Sequence, residues 1–197
     1  MRTFIAIEIP EEIKRQMTEV QNGLRNSGVD ASWPRPEGIH LTIKFLGEVP
    51  EVKLPEIMSS LRSAAQGTDV FRLEVAGAGA FPNAKAARVV WVGFSGDVDQ
   101  LGRLQETVEK AMTDIGFARE ERKFTPHLTL GRIKYIRSRE VWLKALDGIK
   151  DVQIAGFDVH AVSLMKSELK RSGAVYTEMG RVELNKRGTK DEGRETK

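Results

Sequence analysis

The tripeptide His-Leu-Thr occurs twice, at 40–42 and 127–129, and takes up two of the only three histidines in the chain. On a β-strand, residues two apart point to the same face. Each copy therefore asks for a strand with one polar face, carrying an imidazole and a hydroxyl, and one apolar face that has to be buried. Leu41, Ile43 and Phe45 are expected in the core behind the first copy, and Leu128 and Leu130 behind the second. Lys44 has the parity of His40 and Thr42. If the two strands lie side by side, both polar pairs line one cleft.

The rest of the chain divides readily. Residues 2–8 are rich in β-formers and end at Pro10. Ile13, Met17, Val20 and Leu24 fall at helical spacing, with Gly28 beyond them. A short edge strand broken by proline is expected at 31–34, and helices at 51–65, 98–115 and 139–146. Residues 70–75 and 87–94 read as strands, with 77–83 as a loop or bulged connection between them. Closing strands are expected at 154–164 and 174–179, joined through the basic turn 170–173. The order is strand–helix–strands–helix, repeated approximately, with one histidine motif in each half. This predicts an α+β fold of two similar lobes, each an antiparallel sheet with helices outside, occupying residues 1–184 as a single domain. Residues 185–197 are charged and lack an apolar anchor, so a disordered tail is expected.

Composition narrows the chemistry. The chain has 197 residues, 40% hydrophobic and 30% charged, with formal net charge +3. No cysteine is present, which excludes disulfides, thiolate zinc sites and a cysteine nucleophile. No apolar run approaches a membrane span, and no secretory signal pattern opens the chain. A cytoplasmic monomer without an obligate protein partner is expected.

Two histidines can be poised near neutrality with one ring neutral and the other protonated. That is what concerted general base and general acid catalysis requires, each group contributing typically ~10²–10⁴-fold. The threonine hydroxyls can donate to oxygens that gain charge in a transition state. A phosphodiester fits this set: one imidazole deprotonates water and the other protonates a leaving alkoxide. No carboxylate cluster suited to two metal ions lies near either motif. No metal and no cofactor is inferred, since a glycine-rich nucleotide loop is also missing.

His40-Leu-Thr-Ile and His127-Leu-Thr-Leu resemble the twin signature of the 2H phosphoesterases. The flanks extend the likeness. Residues 1–6, Trp33-Pro34, 40–47, 90–93 and 124–132 look like those of the bacterial and archaeal RNA 2′,3′-cyclic phosphodiesterases, historically called 2′-5′ RNA ligases. The resemblance covers about residues 1–183. It implies a bilobal fold and hydrolysis of RNA ends that carry a 2′,3′-cyclic phosphate, giving a 2′-phosphate. It implies His40 as proton donor to the departing 3′ oxygen, His127 as proton acceptor from water, and Thr42 and Thr129 as holders of the phosphate oxygens. Near-symmetry of the two motifs leaves the donor and acceptor labels exchangeable. A 2′-5′ ligase and a non-catalytic RNA-end-binding module are the alternatives.

Other residues invite plainer readings. Arg132 could bind phosphate bidentately, but strict alternation puts it opposite His127 unless the strand bends or bulges at Gly131. His160, alone in an apolar stretch, is read as structural. Trp91 is read as core, and Trp33 as the better candidate for a cleft aromatic. The basic segments 119–123 and 134–139 flank the second motif and could guide RNA, although a solvated surface is the simpler account.

Overall fold

β1 (Arg2–Glu8) is buried on both faces from Thr3 to Ile7, as its unbroken apolar run requires. In the computed structural model, which describes residues 1–170 and 173–186, it takes an interior place in a four-stranded antiparallel sheet. The order is β3-β1-β8-β9, with β3 (His40–Glu48), β8 (Ala161–Lys170) and β9 (Gly173–Glu183). A second antiparallel sheet has the order β2-β6-β5-β4-β7. Its strands are β2 (Val29–Ser32), β4 (Phe71–Phe81), β5 (Val89–Gly96), β6 (Leu128–Ile136) and β7 (Gln153–Val159). Helices α1 (Glu11–Arg25), α2 (Leu54–Ala65), α3 (Val98–Asp114) and α4 (Arg139–Ile149) lie outside. The expected α+β bilobal architecture is present, with the helix-free faces of the two sheets lining a central cleft. Among the described residues no helix is long and apolar enough to cross a membrane.

The helices begin and end for local reasons. α1 buries Ile13, Met17, Gln21 and Leu24 on one stripe, with Glu11 and Glu12 at its positive end and Arg25 at its negative end. α2 carries a proline in its first turn, where no backbone donor is lost. The Ser138 hydroxyl accepts from the Val141 amide to cap α4.

The lobes are not the two halves of the sequence. β2 joins the second sheet, and β8 and β9 return to the first. The helices are exchanged as well: α1 packs on β6 and β7, whereas α3 packs on β3. In the two sheets β3-β1-β8-β9 matches β6-β5-β4-β7, so the approximate symmetry holds in space while the chain crosses between lobes. An apolar stripe says that a helix needs a sheet, but not which sheet.

Two boundaries differ from expectation, and one open alternative is resolved. The stretch 154–164 is not one strand; it breaks at His160 into β7 and β8, which belong to different sheets. Of the two readings of 77–83, the bulged connection holds through Phe81: these residues are the second part of β4, which continues past a shift in pairing between Val75 and Ala78. Backbone pairing persists through Asn185, which exchanges hydrogen bonds with Thr68 and Val70. Residues 187–197, most of the expected tail, lie outside the described residues.

Candidate active site

Both histidine strands are bulged at the same place. In the β1–β3 ladder Ala6 faces Thr42 and Ile5 faces Lys44, so Ile43 has no opposite residue. In the β5–β6 ladder Trp91 faces Thr129 and Val90 faces Gly131, so Leu130 has none. The fourth residue of each motif is thus the extra residue of a β-bulge, and beyond it the strand's parity is reversed. His40 and Thr42, and His127 and Thr129, remain on the cleft faces. After the bulge, Phe45 and Arg132 turn to the cleft, and Lys44 and Gly131 turn to the helices.

Two expectations from strict alternation are overturned here. Phe45 is not core but 59% exposed, and Lys44 is not on the polar face but 4% exposed. Arg132 comes to the side of His127 through a bulge at Leu130 rather than at Gly131. Its cation helps to hold the His127 pKa down.

Each bulge is anchored by a buried polar side chain from a helix of the other sequence half. Gln21 of α1, 1% exposed, donates to the Leu130 carbonyl at 2.9 Å and to the Pro34 carbonyl at 3.1 Å. Lys44 donates to Glu109 Oε1 of α3 at 2.6 Å and to the Ala118 carbonyl at 2.9 Å. The same Glu109 oxygen accepts from the Glu120 amide at 2.9 Å, which ties down the approach to the second motif. The helices match in pattern: Ile13, Gln21 and Leu24 are spaced as Leu101, Glu109 and Met112. A bulge frees backbone groups that must find partners when buried. Gln21 supplies one partner directly, and Glu109 holds the side chain that its bulge turns inward.

The two imidazoles are treated differently. His40 stacks on Phe4 with ring centroids 4.6 Å apart, and Tyr176 meets it edge-on at 4.9 Å. Phe45 lies 6.0 Å from Phe4 on the same side. Burial in this aromatic niche, and then the Lys14 cation, push the His40 pKa down to about 4. His127 lies just before β6, with Nδ1 2.8 Å from the Thr125 carbonyl oxygen. A carbonyl only accepts, so Nδ1 carries the proton and Nε2 is left for a substrate. Burial lowers the His127 pKa too, against the opposing pull of that carbonyl.

The tryptophans exchange their expected places. Trp91 faces Thr129 across the ladder and lies flat over Gly79, where any side chain would collide with the indole. It belongs to the cleft face and not to the core. Trp33 packs on the other face, its ring 2.8 Å from where a Cβ on Gly131 would stand. Its outer side is covered by the Arg25 guanidinium at 5.4 Å. Phe4, Tyr176, Phe81 and the anchors Gln21 and Glu109 had no signal in the motifs, because each reaches the site from a distant element. Phe81 meets His127 edge-on at 5.0 Å. Two cavities lie on neighbouring elements, neither lined by the motif histidines or threonines. One, about 410 Å³, is lined by Glu8, Lys14, His160 and Arg181 among others. The other, about 470 Å³, is lined by Trp91, Phe94, Phe124, Thr125 and Lys150 among others.

A family model described as LigT like phosphoesterase matches the chain twice, over residues 7–91 and 92–176. The chain belongs to the LigT-like phosphoesterases. One copy of the match holds His40 and the other His127, so the family unit repeats with the motif. An RNA 2′,3′-cyclic phosphodiesterase of Methanothermobacter thermautotrophicus is 34% identical over 179 residues, spanning 91% of this chain and 96% of that protein. One of the same name from Thermotoga maritima is 37% identical over 178 residues, spanning 89% and 91%. A crystal structure of a Thermus thermophilus protein superposes with TM-score 0.79 at 29% identity, covering 95% of this phosphoesterase and 100% of that chain. E. coli LigT complexed with 3′-AMP shares the fold, with TM-score 0.75 at 24% identity over 93% and 97% of the two chains.

Proposed function

We propose that this phosphoesterase hydrolyses 2′,3′-cyclic phosphate at the end of an RNA strand, leaving a 2′-phosphate, by proton transfer between two imidazoles. The observation that carries the reading is the duplicated bulged strand, which puts one imidazole and one hydroxyl on each wall of the cleft. The names of the archaeal and bacterial relatives support the substrate. Among the described residues no group of three or more His, Asp or Glu is placed to hold a metal ion. Both proton transfers fall to histidine because the two imidazoles are the titratable groups that the His-Leu-Thr motifs carry.

Thr42, Thr129 and Arg132 hold the non-bridging phosphate oxygens. Water attacks phosphorus and loses its proton to His127 Nε2. The bond from phosphorus to the 3′ oxygen breaks, and that oxygen takes the proton carried by His40. Phe45, exposed on the cleft face, offers a ring on which the terminal base can stack. Before substrate binds, burial keeps His40 neutral at pH 7, with a pKa of about 4. The bound phosphate anion raises it and supplies the donor form.

One observation favours the exchanged labels. The Thr125 carbonyl favours the cation of His127, whereas the apolar niche of His40 favours the neutral ring. A substrate with sulfur in place of the bridging 3′ oxygen separates the two, because thiolate leaves without a general acid. It should restore His40→Ala and not His127→Ala; the reverse result assigns the donor role to His127.

The function itself is tested with an oligonucleotide ending in a 2′,3′-cyclic phosphate, assayed in excess EDTA. Turnover to a 2′-phosphate product is expected. Binding of the oligonucleotide without turnover, or dependence on a divalent cation, overturns the reading.

A further inference from the structure

Beyond Arg132 the strand β6 continues away from the cleft as a row of exposed groups. Ile133 and Ile136 pack on the core. A second shift in pairing, between Asp30 and Ala31 of β2, leaves Lys134 without an opposite residue. This bulge lets both isoleucines face inward although they are three apart, and it turns Lys134, Tyr135 and Arg137 outward. Tyr135 is 63% exposed, with its ring in solvent. Among the described residues no salt bridge engages Arg132, Lys134 or Arg137. Asp30, opposite Tyr135, is the acid on the neighbouring strand.

The opposite wall of the cleft differs in charge. Arg181 on β9 donates to Glu183 at 2.6 Å and lies 3.7 Å from Glu8. Glu178 on the same strand accepts from Ser163. Around Arg181 that side therefore offers a polyanion carboxylates, and this cation is already engaged. The β6 side offers uncommitted cations in line with the phosphate-binding Arg132, and an exposed aromatic ring among them. Cations that track a backbone, with an aromatic ring on which a base can stack, are the elements of single-strand binding.

We propose that the RNA strand on the 5′ side of the reacting phosphate runs along β6, its phosphates against Lys134 and Arg137 and one base on Tyr135. This rests on the RNA-end reading, since it extends that site from a terminal nucleotide to a short single-stranded segment. From Arg132 to Arg137 the strand rises roughly 16 Å at about 3.3 Å per residue, room for a few nucleotides.

The test compares an oligonucleotide of about six nucleotides ending in a cyclic phosphate with a nucleoside 2′,3′-cyclic phosphate. Wild-type enzyme should prefer the oligonucleotide in kcat/KM, and the preference should fall with salt. The double variant Lys134→Gln/Arg137→Gln should lose most of that preference and keep its rate on the nucleoside substrate. Binding of the 2′-phosphorylated oligonucleotide is measured alongside. Each lost phosphate contact lowers the slope of log affinity against log salt by about 0.7 for single strands, so two should flatten it by roughly 1.4. Between 50 and 200 mM salt this makes the variant's loss of affinity roughly sevenfold smaller than wild type's. An unchanged substrate ratio together with an unchanged slope overturns the path. If wild type turns over neither substrate, the RNA-end reading fails, and the binding slope alone decides whether β6 holds the strand.

Discussion

The two histidine strands share a sequence frame and a bulge, yet the residues around them solve the same problem with different chemistry. In the first, the bulge turns Lys44 inward, where it meets the Glu109 carboxylate as a buried ion pair. In the second, it turns in Gly131, and a neutral amide from Gln21 satisfies the Leu130 carbonyl. The outward residues differ as well: a phenyl ring at Phe45 and a guanidinium at Arg132. The first wall thus packs aromatic rings around its imidazole, and the second is cationic and hydrogen-bonded. A symmetric scaffold acquires two unlike walls, which suits a reaction in which one imidazole gives a proton and the other takes one.

The largest effect tests whether both walls are needed. His40→Ala and His127→Ala should each lower kcat by ~10²–10⁴-fold or more, with unchanged far-UV circular dichroism. Activity retained in either variant would break the comparison, because one wall would then suffice.

The anchors come next. Glu109→Ala leaves the Lys44 ammonium buried and unpaired, and should destabilise the protein by about 3–5 kcal/mol in urea unfolding. Gln21→Leu takes the donor from both the Leu130 and the Pro34 carbonyl and should cost about 1–3 kcal/mol. Lys44→Met combined with Glu109→Leu should recover much of the first loss, since desolvation of the pair offsets its attraction. Equal losses for the two single variants would mean that charge makes no difference between the anchors.

Acid sensitivity should separate the histidines. His40 has a folded pKa of about 4 against an ordinary value near 6.5. Above pH 6.5 the ring is neutral in both states and its contribution is complete. As pH falls from 6.5 towards 4 the unfolded chain takes up a proton that the folded ring refuses, so stability declines, by up to about 3 kcal/mol. His40→Phe should remove most of this decline in unfolding measured at pH 7 and pH 4.5. His127→Phe should remove less, because its lowering is opposed by the Thr125 carbonyl. A steeper effect at His127 would mean that the aromatic niche is not what sets His40 apart.

The outward pair should act on binding. Phe45→Ala should weaken binding of the 2′-phosphorylated product by about 1–3 kcal/mol. Arg132→Gln should cost about 1.5–3 kcal/mol and weaken inorganic phosphate in parallel, as Phe45→Ala should not. Titration calorimetry with both ligands reads the difference.

Much of this was legible in the chain. The α1 stripe of Ile13, Met17 and Leu24 and the α3 stripe of Leu101, Leu104, Val108 and Met112 placed their helices within a residue or two of the observed ends. The polar faces of His40 and Thr42, and of His127 and Thr129, followed from period two. Phe45 and Lys44 were misplaced because period-two reasoning carries through a bulge as though none were there, whereas Trp91 was misplaced because an apolar strand was taken to bury both its faces. Nothing local marks Ile43 or Leu130 as extra. A lysine inside the apolar run 39–46 and a glycine after Leu130 were the only hints, and both have ordinary explanations. The break at His160 was hidden for a related reason: the chain stays strand-like as it leaves one sheet and enters the other.

The sequence by itself determined that two strands would each carry an imidazole and a hydroxyl on a face opposite buried leucine, because alternation is a property of the extended backbone. It also determined the elements around them, through stripe spacing and caps that act within a few residues. Tertiary structure decided which sheet each helix covers, where the two strands bulge, and therefore that Phe45 and Arg132 reach the cleft while Lys44 does not. Those outcomes depend on partners distant in the chain, such as Gln21 beneath Leu130 and Glu109 beneath Lys44. A buried carbonyl or ammonium takes whatever partner the packed fold brings to it, and sequence neighbours do not reveal which that will be.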